Sequence, residues 1–125
     1  MKRILLLTCI AALYLVVLQS AGAAPPEVRG QSLYQRLCVS CHSIEYNGIG
    51  PAHRGVFNRK AGSAADYEYS AALKASKVIW NEKTLDRWLS NPEKFIPGQK
   101  MGFLVASPQD RADLIAYLKH AASSK

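Results

Sequence analysis

Five consecutive residues, Cys38-Val39-Ser40-Cys41-His42, concentrate more reactive chemistry than any other part of the sequence. Two thiols at this spacing serve structural zinc, thiol–disulfide exchange or covalent haem attachment. Structural zinc needs four ligands, usually two spaced pairs. Here His42, His53 and His120 accompany the pair, with no second cluster at ligand spacing. A thioredoxin-type site needs a strand leading into the cysteines within a βαβ unit, and no strand alternation precedes Cys38. The histidine directly after the second cysteine belongs to the third chemistry. Cys38 and Cys41 would form thioethers with the two vinyl groups of one haem, and His42 would reach the iron. One iron face then remains. Met101 is the only methionine besides Met1, and it lies in the turn-rich stretch "IPGQKMGF". Its thioether is a soft ligand that favours reduced iron. Two protein ligands leave no open position for a substrate, so these residues point to one-electron transfer and away from catalysis.

The elements that must hold these groups read as helices. Leu33, Tyr34 and Leu37 fall at helical spacing, which predicts a helix over residues 31–44 with both thiols on one face and His42 at its end. The preceding "APPEVRG" reads as a proline-containing lead-in. Residues 45–70 are rich in glycine and small side chains and read as loop, with a short helix after Ser70. Asn81 is an N-cap for a helix whose apolar face is Leu85, Trp88 and Leu89, ended by Asn91-Pro92. The last helix has the clearest start: Ser107 as N-cap, Pro108 in the first turn and Asp110 at the third position, followed by the stripe Leu114, Ile115 and Leu118. No segment alternates as a strand. The fold class expected is all-α with long loops. His53 and His120 read as surface histidines.

Length and charge set the frame. The 125 residues hold one domain. At the N-terminus Lys2 and Arg3 precede an apolar run from Ile4 to Leu18, and Ala21-Gly22-Ala23 supplies a small-residue cleavage signal. This layout predicts a secretory signal peptide over residues 1–23 and a mature domain over 24–125. The run is short for a bilayer span; the alternative is a retained membrane anchor. A cleaved chain keeps fourteen basic against nine acidic residues. No nucleic-acid motif accompanies that charge, which instead suits acidic protein partners. Only Cys38 and Cys41 remain after cleavage. A bridge between them closes too small a loop to staple a domain, so their role is chemical.

The sequence resembles the small monohaem class I cytochromes c of the mitochondrial and soluble bacterial type. The resemblance rests on Gly30 and Tyr34 before "CVSCH", then "GIGP", "NRKAG", "YEYS", Trp80, "NPEKFIPGQKM", Phe103 and "RADLIAYLK", in that order. It implies the cytochrome c fold, with helices and long loops wrapped around one covalently bound haem c. It implies that Cys38, Cys41, His42 and Met101 hold the haem, and that the carbonyl of Pro51 accepts the ring N–H of His42. Arg59, Tyr69 and Trp80 would surround a buried propionate, Phe103 would cover the haem edge, and Gly30 would let the first helix cross closely over the last. It implies a monomeric electron carrier, not an enzyme, that shuttles between redox proteins, and the signal-peptide layout of residues 1–23 places that shuttle in the periplasm. The chain also departs from the family: Leu73, Trp88 and Gln99 stand where a polar network is usual. Among the positions of the usual lysine ring, only Lys94 and Lys100 match.

Overall fold

A computed structural model describes residues 22–123, so almost all of the segment read as a signal peptide lies outside the described residues. The chain forms five helices there: α1 (Pro26–Leu37), α2 (Ala71–Ala75), α3 (Glu82–Ser90), α4 (Pro92–Phe95) and α5 (Pro108–Ser123). Among the described residues there is no strand, only an isolated antiparallel bridge between Lys60 and Ile79.

Helix α1 corrects the sequence reading at both ends. It begins within the expected lead-in, with Pro25 as N-cap and Pro26 at its first position. Proline lacks an N–H, but the first helical N–H has no partner anyway, and the ring's fixed φ suits the helix. At the other end the helix stops before the cysteines. The Cys38 amide still donates to Tyr34 O at 2.9 Å, but Cys38 itself sits at φ −115°. The thiols therefore stand on a turn that leaves the helix, not on a helical face.

The other starts follow side-chain capping. Ser70 Oγ accepts from the Leu73 amide at 3.2 Å to begin α2. Asn81 and Thr84 form a capping box on α3, with each side chain accepting the other's backbone N–H. Asn91 ends α3 and also starts α4, since its Oδ1 accepts from the Lys94 amide at 2.9 Å. Ser107 Oγ accepts from the Asp110 amide at 3.2 Å at the head of α5.

Helices α1 and α5 cross in direct contact, and α3 packs against α5. The apolar faces of α1, α3 and α5 meet in one core that includes Tyr34, Leu85, Trp88, Leu114 and Ile115. At the crossing, Gly30 faces the backbone of Asp113 and the Cβ of Tyr117. Beside it Arg29 donates from Nε and Nη2 to the two carboxylate oxygens of Asp113, at 2.7 and 2.6 Å. Asp113 is 3% exposed and also accepts from Gln109 at 3.0 Å. The hydrogen bond from Arg29 holds the Asp113 carboxyl below its usual range. A depressed carboxyl stabilises the fold above its unfolded pKa, and that contribution disappears as pH falls through the folded value. Asp113→Asn should therefore lower the urea midpoint at neutral pH. The gap from the unaltered protein should close as pH drops below about 4, the ordinary aspartate range. A gap that does not change with pH would mean that the ion pair contributes nothing.

Candidate functional site

The turn after α1 gathers the reactive groups. Cys41 N donates to Cys38 O at 3.1 Å and His42 N to the same oxygen at 2.8 Å, which folds Cys38, Cys41 and His42 around one carbonyl. Cys38 is half-buried and Cys41 exposed. Burial, and then the neighbouring Cys41, push the Cys38 thiol up to about 11.

The loop that follows comes back to the histidine. Gly50 N donates to Cys41 O at 2.7 Å, and Pro51 then presents its carbonyl 2.9 Å from His42 Nδ1. A carbonyl only accepts, so Nδ1 carries the proton and Nε2 keeps its lone pair. Burial lowers the pKa of His42, opposed by the Pro51 bond. The ring is thus neutral at neutral pH and has one nitrogen ready for a metal. Gly50 makes this approach possible, because a Cβ there would stand 2.2 to 2.7 Å from three atoms of the His42 ring.

His53 corrects the sequence reading. It is half-buried, not a surface residue, and its ring stacks on His42 with centroids 4.1 Å apart and planes 21° apart. Its burial, then His42 and Arg59, press its pKa down to about 3. His120 is exposed, as expected.

A second group forms around Arg59 and Trp80, which the bridge region joins: Trp80 N donates to Arg59 O at 2.9 Å, and Asn58 N to Trp80 O at 2.7 Å. Arg59 donates from Nη1 to Arg54 O and from Nη2 to Ala52 O, at 2.8 and 3.0 Å. Its Nε is buried and has no hydrogen-bond partner among the described residues. Trp80 and Tyr69 are both buried, at 7% and 8% exposure, and the Tyr69 hydroxyl accepts from the Ala64 amide at 3.3 Å.

Met101 and Phe103 occupy a third segment, between α4 and α5. Glu93 accepts from Gly98 N at 3.0 Å and from Gln99 Nε2 at 3.3 Å, and Gln99 Oε1 accepts from Met101 N. These bonds fix the loop without using the methionine sulfur. Met101 is half-buried and packs against the core, whereas Phe103 is 42% exposed.

Two residues that frame the site escaped the sequence reading. Asn47 Nδ2 donates to Ala65 O and Asp66 O, at 2.9 and 3.1 Å, while its Oδ1 accepts from Ala52 N at 2.8 Å. Tyr67 Oη donates to Ile49 O at 2.6 Å. Together they tie residues 65–67 to the loop that carries Gly50 and Pro51. An asparagine flanked by loop residues is a weak turn signal. Nothing local reveals its partners eighteen and nineteen positions away.

A haem fits this set of residues. Two thiols share a turn with a neutral imidazole. A buried guanidinium nitrogen without a partner suits an anionic propionate, and burying such a carboxylate costs less where donors meet it. A thioether stands on a separately braced loop.

The sequence model of the family described as "Cytochrome c" matches residues 27–122. The cytochrome c of Sesamum indicum is 45% identical over 104 residues, covering 79% of this chain and 94% of that protein. The cytochrome c2 of Rhodomicrobium vannielii is 43% identical over 103 residues, covering 79% and 82%. Among solved structures, cytochrome cH from Methylobacterium extorquens superposes with a TM-score of 0.72 at 41% identity, covering 75% of this chain and 97% of that one.

Proposed function

The chain belongs to the cytochrome c family, and on that premise we propose that it carries single electrons outside the cytoplasm, on a haem iron ligated by His42 and Met101. Membership makes it an electron carrier with covalently attached haem c. The ligand reading is carried by one observation, the 2.9 Å bond from His42 Nδ1 to Pro51 O in the turn that holds both thiols. That bond fixes the tautomer and makes the other ring nitrogen a better donor.

When bound, the haem supplies a one-electron iron couple. The rest falls to the residues of this chain. Cys38 and Cys41 would anchor the group through thioethers. His42 stands on a turn closed by backbone hydrogen bonds and Met101 on a loop held by the Glu93 and Gln99 side chains, so neither would have to move when the charge changes. Arg59, with Tyr69 and Trp80 nearby, would offset a propionate's charge through the guanidinium nitrogen that has no partner among the described residues. Phe103 would cover the haem edge. With His42 and Met101 both given to the iron, the chain would leave it no position for a substrate, which suits transfer between redox proteins by a monomer. Such partners bind over small interfaces and release quickly. The periplasmic reading is supported by the leader pattern of residues 1–23.

Denaturing mass spectrometry of the purified protein should find residues 24–125 plus one haem, and the haem should survive acid–acetone extraction. Haem lost to the solvent would refute the thioethers. A mass that retains residues 1–23 would refute the cleaved leader and favour an anchored protein. The ferric protein should also show a methionine–iron charge-transfer band in the near infrared, and its absence would remove Met101 from the iron.

A further inference from the structure

We infer that His53 is a positioning residue for His42: its ring, pinned by Tyr34, sets the plane in which the ligand imidazole stands. This rests on the reading of His42 as an iron ligand.

A hydrogen bond fixes only part of a ring's orientation. The bond from His42 Nδ1 to Pro51 O directs the N–H, but hydrogen-bond geometry tolerates tens of degrees of swing. The stacked ring of His53 removes much of that freedom, because the rings lie 4.1 Å apart with planes 21° apart. Rotating His42 against it would break the face contact.

His53 is itself held from two sides. Its backbone N–H donates to Ser43 O at 2.8 Å, and the next amide, of Arg54, donates to Ile44 O at 2.8 Å. This ties its main chain to the residues directly after His42. Its Nδ1 lies 3.0 Å from the Tyr34 hydroxyl. The phenol and this ring nitrogen are thus at hydrogen-bond distance, which holds the ring from the α1 side. Tyr34 is 2% exposed on α1 and packs on Tyr117 of α5, with centroids 5.2 Å apart. A contiguous aromatic series, Tyr117, Tyr34, His53, His42, thus runs from the α1–α5 crossing to the ligand. A leucine at position 53 would fill similar space but could neither hydrogen-bond to Tyr34 nor hold a plane.

The ligand plane determines how unpaired spin is distributed over a ferric haem. The test is therefore the pattern of haem-methyl hyperfine shifts in proton NMR, together with the EPR g values, of the ferric holoprotein. His53→Leu should change the order or spread of the methyl shifts. It should also raise the share of a rotated ligand orientation by about two- to tenfold, the range one aromatic pair is worth. His53→Phe keeps a flat ring and should stay closer to the unaltered pattern. Tyr34→Phe removes only the hydroxyl and should shift the pattern in the same direction as His53→Leu, by less. An unchanged pattern in His53→Leu, with the low-spin histidine signature intact, would overturn the positioning role alone. An unchanged pattern in Tyr34→Phe would overturn the pin. If the unaltered ferric protein shows no histidine ligation at all, the ligand reading falls and this inference falls with it.

Discussion

Gly30→Ala should destabilise the holoprotein by about 3 kcal/mol or more, at the upper end of what overpacking a well-packed core costs. Two effects oppose. Alanine is the better helix former, worth about 1 kcal/mol over glycine in a helix interior. Against that, a Cβ at position 30 would stand 1.9 Å from Asp113 O, 2.6 Å from Asp113 C and 2.8 Å from Tyr117 Cβ. Two of these three atoms are backbone and cannot rotate out of the way. Relief requires α1 and α5 to move apart. That would open the core around Leu114, which is 1% exposed, and pull Arg29 from Asp113. The steric cost wins. For a domain stable by about 5–15 kcal/mol the loss is large. Urea unfolding followed by tryptophan fluorescence measures it. A midpoint equal to or above that of the unaltered protein would show that the crossing tolerates a methyl group.

Whatever rested on local rules could be read from the sequence. The Asn81 and Ser107 caps, the apolar stripes of α3 and α5, and the short helix after Ser70 each depend on residues within one or two turns, and the fold has them as expected. The three misreadings share another cause. Periodicity put the cysteines on a helix, because Leu33, Tyr34 and Leu37 set a helical beat. That pattern does not record where the backbone leaves helical dihedrals, as it does at Cys38. The "APPEVRG" segment looked like a lead-in because prolines break helices, yet at the first position they begin them. His53 read as a surface histidine, and nothing beside it in the sequence says otherwise. Its real surroundings are Tyr34, nineteen positions back, and His42, both brought to it by the fold. The reactive residues of the candidate site were legible because covalent chemistry demands them at fixed spacing. The residues that brace them, Asn47, Tyr67 and His53, were not, because a brace is defined only by what it touches.

Met101→His should lower the reduction potential by a few tenths of a volt, on the order of a third of the ~0.8 V range that axial ligands span. The thioether is a soft donor that suits ferrous iron, and an imidazole donates more strongly to ferric iron. Replacing one with the other stabilises the oxidised state. The structure makes this exchange a fair comparison. The loop around position 101 is held by Glu93 accepting from Gly98 and Gln99, and by Gln99 accepting from the residue 101 amide. All of these bonds use backbone or neighbouring side chains, so the substitution keeps them. Burial of the iron also favours the less charged ferrous state, but it is common to both proteins and cancels in the difference. Spectroelectrochemical titration gives the potential, and the near-infrared charge-transfer band of the ferric protein should vanish at the same time. A large fall in potential with the band gone identifies the sulfur as the second ligand. If neither changes, Met101 is a core methionine filling a gap, and the iron takes its second ligand from another residue.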